Sequence, residues 1–307
     1  MVWLVWVFPI FSGAVDAASR GAIKMTKVHR YTLVAGGYLF ALPFYLIWLA
    51  IEGIPEVKPA FWLAVAVHVP LLVWANVWLV RAHRESPLIL TMPVQGFTSA
   101  FLLGTAPIMG GGSPTWLGGL GVLILTLGLY VLNIQSSRLS FWEPLKAIKR
   151  ESGVRLMLGV AIIFSVTANL DYVAFQNSNA PFYLLIDHGL AGLLMAGMAA
   201  GLPLFSKKIS DPVSPSGSWK GLALYGVFVA LSVVFHLLAF RWIPMVPYVI
   251  AGKRAGGIFF AILLGLAMAF IVKHKDFLKE REDLKYRLPG AAIMVLGMII
   301  IIFWGRA

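Results

Sequence analysis

The chain has 307 residues, of which 60% are hydrophobic and only 12% charged, with 25 Lys and Arg against 13 Asp and Glu. That apolar excess lies beyond what a water-soluble domain of this length tolerates, and it excludes an ordinary globular enzyme. The formal charge of +12 is spread from loop to loop rather than gathered in one patch, so it speaks for orientation in a membrane and not for nucleic acid.

A helix needs about 20 mainly apolar residues to cross the hydrocarbon, and lipid-facing irregular backbone is forbidden. The hydropathy pattern predicts ten such helices, at 2–18, 31–52, 60–80, 87–108, 115–135, 155–174, 181–204, 218–240, 244–272 and 288–304, and so an all-α integral membrane protein. The first span starts like a signal peptide, but no basic segment precedes it and Asp16 interrupts the place of a cleavage site, so it reads as a retained helix. Twenty of the 25 basic residues follow odd-numbered spans; Lys58, Arg241 and Arg306 lie on the other side and Lys253 and Arg254 within a span. The positive-inside rule then puts the odd-numbered loops in the cytoplasm and both termini outside, in a multi-pass cell-membrane protein. Cysteine is absent, which removes disulfides and thiolate metal sites.

Between residues 136 and 154 runs a polar, basic linker with Pro144, and the segments on either side, 1–135 and 155–307, repeat one another. Ala100-Phe-Leu-Leu-Gly104 of the fourth span falls on Ala261-Ile-Leu-Leu-Gly265 of the ninth. Gly121 and Gly128 of the fifth match Gly290 and Gly297 of the tenth, seven residues apart in each, a spacing that lets helices approach closely. Ser12 to Asp16 lies on Thr167 to Asp171. Each half holds five spans, and because five is odd the second enters the membrane inverted; such repeats characterise secondary transporters with a site near the midplane.

These residues resemble the drug/metabolite transporter superfamily in its EamA-like branch, over nearly the whole chain. The likeness rests on the Pro-containing fourth helix ending in Leu-Leu-Gly104, the Trp116-Leu-Gly-Gly-Leu-Gly121 entry, the Asn169-Leu-Asp171 turn, and Gly252-Lys253-Arg254 running to Leu264-Gly265. It implies two EamA-like five-helix repeats and transport. Two features depart from the family: a customary Gly-Glu pair is replaced by Gly110-Gly-Gly-Ser113 and Lys273-His-Lys275, and the charge bias reverses the usual orientation of the termini.

Lys253 and Arg254 are the leading functional signal. Each is unfavourable by about 2.5–3.5 kcal/mol at the centre of a span, so such residues face a watery cavity or a counter-charge. They point about 100° apart on a helix, so one can bind an anion while the other is paired; the competing reading is an ion pair with Asp171 or Asp187 that locks helices together. Gln95 with His68 and Asn76 is expected on the first-half wall of the same cavity, and Tyr248 with His236 on the second. For a lone His or Asn, a bond to a neighbouring carbonyl is the commoner role. Trp74, beside Trp78, lies deep enough to floor a pocket. Asp171, Asp187, His188 and Asp16 are candidates to balance charge or carry a coupling proton, with an Asp16–Arg20 pair as the plainer role for Asp16. Gly256-Gly257 is the favoured hinge.

No Walker loop, His pair at metal-ligand spacing or Gly-x-Ser-x-Gly elbow is present, so neither an ATP-driven nor an enzymatic role is expected, and no cofactor. The expectation is a secondary carrier of a small polar or anionic metabolite, with membrane lipid as its surroundings. A translocase of lipid or lipid head groups on the same fold is the nearest alternative, and a membrane-embedded enzyme using the Asp and His residues is the alternative from another class.

Overall fold

The computed structural model describes residues 4–24, 30–86, 88–135, 140–201, 219–271 and 275–305, and every regular element among them is helical. A 3-10 turn at Leu4–Trp6 leads into α1 (Val7–Lys24). There follow α2 (Arg30–Glu52), α3 (Pro59–Glu85), α4 (Leu88–Gln95), α5 (Thr98–Met109), α6 (Trp116–Gln135), α7 (Glu143–Arg150), α8 (Ser152–Gln176), α9 (Ala180–Ala199), α10 (Trp219–Trp242), α11 (Val246–Ile271) and α12 (Lys275–Trp304). Among the described residues six helices, α2, α3, α6, α8, α9 and α10, contain stretches long and apolar enough to cross a membrane, so the chain is an all-α, membrane-embedded protein. Lys27, Arg138, Lys207, Lys208, Lys273, His274 and Arg306 lie outside the described residues, as does the Arg20 side chain.

Local chemistry sets the ends of these helices. Pro59 and Pro181 occupy first turns, where a missing N–H loses nothing, and the Asn179 carboxamide oxygen accepts from the Phe182 N–H (3.0 Å) to cap α9. The predicted fourth span is two helices rather than one. Pro93 offers no N–H to the ladder, Gly96 lowers the penalty for leaving it, and the chain turns at Gly96 and Phe97 before α5 begins. The Thr98 hydroxyl donates to the Gln95 carbonyl (2.8 Å), satisfying an acceptor that the break exposes. By contrast α11 runs unbroken through Gly256 and Gly257, the expected hinge.

Helices pack across the two halves of the sequence. The most extensive pairings are α6 with α12, α3 with α8, α2 with α9, and α1 with both α10 and α11; α8 in turn lies along α3, α4 and α5. At one end of the bundle, the far end, Lys58 N–H donates to the Asn177 carbonyl (3.1 Å) and Val246 N–H to the Gly111 carbonyl (2.9 Å). At the opposite, basic end the Ser86 hydroxyl donates to Glu151 (3.1 Å), near the short helix α7 with Lys146, Lys149 and Arg150.

Glycine permits the closest of these approaches. Gly121, Gly128, Gly290 and Gly297, matched in sequence as repeats, meet face to face between α6 and α12: a Cβ on Gly128 would lie 2.5 Å from Met294 N, and one on Gly297 2.5 Å from Leu125 N. Between α1 and α11 a Cβ on Gly13 would lie 1.8 Å from the Lys253 carbonyl oxygen, and one on Gly256 2.0 Å from that of Ile10. The obstacles are backbone atoms, which cannot swing away. Gly297→Val is therefore expected to destabilise the purified protein by about 1–3 kcal/mol or more, as overpacking does. Gly104→Ala, where nothing lies within 4 Å, is expected to leave thermal unfolding unchanged.

Candidate functional site

Ionisable and polar side chains gather inside the bundle in two places. The first is a cleft of about 240 Å³ lined by Asp16 and Ala17 of α1, Gln95 and Gly96 at the α4–α5 break, Leu129 and Asn133 of α6, and Lys253, Arg254, Gly257 and Ile258 of α11. The α1–α11 glycine crossing fixes it. With Gly13 against the Lys253 backbone, the side chain of Asp16, one turn further along α1, reaches the same space as the two cations. The broken helix contributes Gln95 together with backbone at Gly96, an irregular segment of the kind tolerated at membrane depth only where protein or a cavity covers it. A lysine, an arginine and two carboxamides, with one carboxylate, make a wall suited to a small anion: the guanidinium offers a planar two-pronged donor, the ammonium a point charge, and the amides further donors.

Nearer the far end lies the second group, where α3, α8 and α9 meet. His68 sits between two carboxylates, its Nδ1 2.7 Å from Asp187 Oδ1 and its Nε2 3.1 Å from Asp171 Oδ1. The Tyr183 hydroxyl also donates to Asp171. Next along α9, His188 has its Nδ1 3.1 Å from the Tyr45 hydroxyl, and Tyr38 stacks on its ring at a centroid distance of 4.5 Å. His236 of α10 packs edge-on against Phe240 (4.6 Å), its Nδ1 buried without a hydrogen-bond partner among the described residues.

Of the residues singled out from sequence, the cleft thus joins Lys253, Arg254, Gln95 and Asp16, while Asp171, Asp187 and His188 belong to the second group. Asn76, expected on the cleft wall, is not part of it and donates to the Leu72 carbonyl (2.8 Å), and Trp74 and Tyr248 stand apart from both groups. Trp74 is 50% exposed and packs edge-on against Trp78, on a face of α3 that carries exposed Trp62, Leu63 and Val67. Tyr248 is buried at the start of α11, where its hydroxyl accepts from Thr115 N–H (3.1 Å) and fills the space that Gly118 leaves, so it ties two connections together. Sequence reasoning passed over Asn133, which closes the cleft from α6 while donating to the Leu129 carbonyl (2.8 Å). It also undervalued His68. The signal for His68 was its depth: an imidazole ten residues into an apolar span has to meet a partner.

No family model and no curated protein matches the chain. Among solved structures, a crystal structure of a protein 15% identical in sequence matches over 96% of both chains with a TM-score of 0.66. At that identity the likeness is one of fold.

The imidazole between Asp171 and Asp187 makes a stability prediction. Removing one partner of a buried charged pair leaves the other uncompensated, typically at a cost of about 3–5 kcal/mol. Asp187→Ala is expected to lower unfolding stability by that order, and His68→Leu combined with Asp187→Leu to recover part of the loss, both read by thermal unfolding in detergent.

Proposed function

We propose that the chain is a secondary carrier that moves a small polar or anionic metabolite across a cell membrane by alternating access, with Lys253, Arg254, Gln95 and Asn133 holding the anion. The observation that carries this reading is the cleft itself. Two cations, two carboxamides and a broken helix converge on one space inside an apolar bundle, where charge is expensive unless it has a task. A volume of about 240 Å³ suits a metabolite-sized ligand rather than a drug-sized one.

The inverted-repeat reading, with ten spans in two EamA-like halves, has support in the packing. If the halves are exchanged by a pseudo-two-fold axis, α1 corresponds to α8, α2 to α9, α3 to α10, α4 and α5 to α11, and α6 to α12. The pairings α6–α12 and α2–α9 then map onto themselves, α3–α8 maps onto α10–α1, and α8 with α4 and α5 maps onto α1 with α11. The end that carries α7 and Lys146, Lys149 and Arg150 is assigned to the cytoplasm on its charge.

A ligand that binds the folded state and not the unfolded one raises stability, and does so further as its concentration rises above its Kd. A thermal-stability screen of the purified protein against carboxylates, sugar phosphates, nucleotide sugars, choline-like cations and lipids is expected to show stabilisation by anions. Arg254→Ala is expected to weaken binding of the best anion by about ten- to a hundredfold, the loss of ~1.5–3 kcal/mol for hydrogen bonds to a charged group. Stabilisation by cations alone would overturn the substrate class, and by lipids alone would favour the translocase. For orientation, a membrane-impermeant thiol reagent on whole cells is expected to label Ser113→Cys and spare Ser140→Cys in this cysteine-free chain; the reverse pattern inverts the assignment.

A further inference from the structure

Trp74 takes no part in the cleft, and its surroundings give it a different partner. On α3 the exposed residues Leu63, Val67, Pro70, Trp74 and Arg81 recur at intervals of four, three, four and seven, which is one face of a helix. The apolar members lie within the span Pro59–Leu79, and Arg81 follows two residues beyond it, at the level of lipid head groups. On α8 the exposed Arg155 and Ile162 stand two turns apart on another outward face, and Arg155 is the fourth residue of its span, Ser152–Gln176. The two helices lie side by side, and the Ser86 hydroxyl bonded to Glu151 joins the foot of α3 to the start of α8. Along their seam Gly159 has no side chain and the Trp78 ring takes the space, since a Cβ there would lie 2.5 Å from Trp78 Cζ3. Trp74 stands edge-on to Trp78 with centroids 5.1 Å apart.

At the foot of this seam cations gather. Arg155 Nη1 donates to the Lys149 carbonyl (3.2 Å), which draws the end of α7 onto α8. Arg81 is bonded to Glu85 (3.2 Å), an exposed pair of a kind that contributes little, and Glu85 also lies within electrostatic reach of Arg155. Glu143 is taken by Arg150, and Glu151 by Ser86. On this corner Arg81, Lys146, Lys149, Arg150 and Arg155 stand against Glu85, Glu143 and Glu151, so positive charge is in excess.

We propose that the corner binds an anionic glycerophospholipid, its phosphate between the Arg81 and Arg155 guanidiniums with Lys149 beside them, and an acyl chain along Trp74 and Trp78 on the α3–α8 seam. A guanidinium matches a pair of phosphate oxygens. A zwitterionic head group brings its own ammonium into a field that is already positive, so the anionic class is favoured. The register also fits: seven residues of helix, about 10 Å, separate Arg81 from Trp74 and Arg155 from Ile162, which places head group and upper acyl chain at matching depths on both helices. As α3 and α8 come from opposite sides of the 136–154 linker, the lipid bridges the two parts of the chain. The site stands whether or not the cleft carries an anion.

The test uses the full-length protein in bilayer discs of phosphatidylcholine with a rising share of phosphatidylglycerol brominated on its acyl chains, which quenches tryptophans that it touches. The difference in fluorescence between the unaltered chain and Trp74→Phe isolates Trp74. Its preference for brominated phosphatidylglycerol over brominated phosphatidylcholine is expected to be about five- to twenty-five-fold, the effect of one or two basic residues at a membrane surface. Arg155→Gln is expected to lower that preference by about fivefold, and Arg81→Gln combined with Arg155→Gln to remove it. Lys220→Gln, which deletes an exposed charge at the same end of the bundle on α10, is expected to leave it unchanged. No preference in the unaltered chain, an undiminished one in the double variant, or an equal loss in Lys220→Gln overturns the proposal. Inorganic phosphate, compared with chloride at equal ionic strength, is expected not to relieve the quenching; relief would assign the cations to free phosphate and also overturns it. Because the signal is read on the outside of α3, a lipid bound in the cleft does not produce it, and either result leaves the carrier reading to the anion screen.

Discussion

An ion inside an apolar bundle has to be answered by another charge or by water, and this constraint organises the molecule. It draws α3, α8 and α9 together around His68, because Asp171 and Asp187 come from two different helices and find their common partner on a third. It also sets Lys253 and Arg254 beside a cleft that α1, α6 and the broken α4–α5 segment leave. The apolar residues decide that the chain is a bundle; the few ionisable groups inside it help decide which faces of the helices point inward. Helical amphipathicity is weak here, since lipid and core are both apolar, so these few polar side chains carry much of the information that a hydrophobic stripe carries in a soluble protein.

Much of this was legible in the sequence, and the reasons for what was not are physical. The seven-residue spacing of Gly121 and Gly128 and of Gly290 and Gly297 announced close packing, but whether each pair faced its own half or the other pair depends on tertiary contact, and the structure sets the two pairs against one another. Lys253, Arg254 and Gln95 were recognisable because a polar group far from a helix end is conspicuous. Trp74 and Tyr248 were not resolved by depth, because depth along a span says nothing of rotation about it: Trp74 is half exposed on the outside of α3 and Tyr248 serves a loop. Asn133 escaped because it falls near the end of its span, where polar residues are ordinary.

The same limit explains the glycine pair of the expected hinge. Gly256-Gly257 looked like a place to bend, yet a glycine serves equally where two backbones touch, and Gly256 lies against Ile10. The actual interruption combines Pro93, a residue without a donor, with Gly96, and its loosened carbonyl is taken up by Thr98. A proline and a glycine three residues apart are a stronger signal for a broken helix than two adjacent glycines.

By sequence α1 belongs to the first half of the chain, but its neighbours are α10 and α11 of the second; α8 opens the second half and lies against α3, α4 and α5 of the first. The two halves are thus interlocked, each lending its leading helix to fill a groove in the other. Neither half by itself would be a smaller version of the whole, since each would keep an empty groove and an unhoused helix. What assembles the molecule is this mutual exchange rather than the covalent join, and a gene split between the halves would have to supply both products to give either one a complete interior.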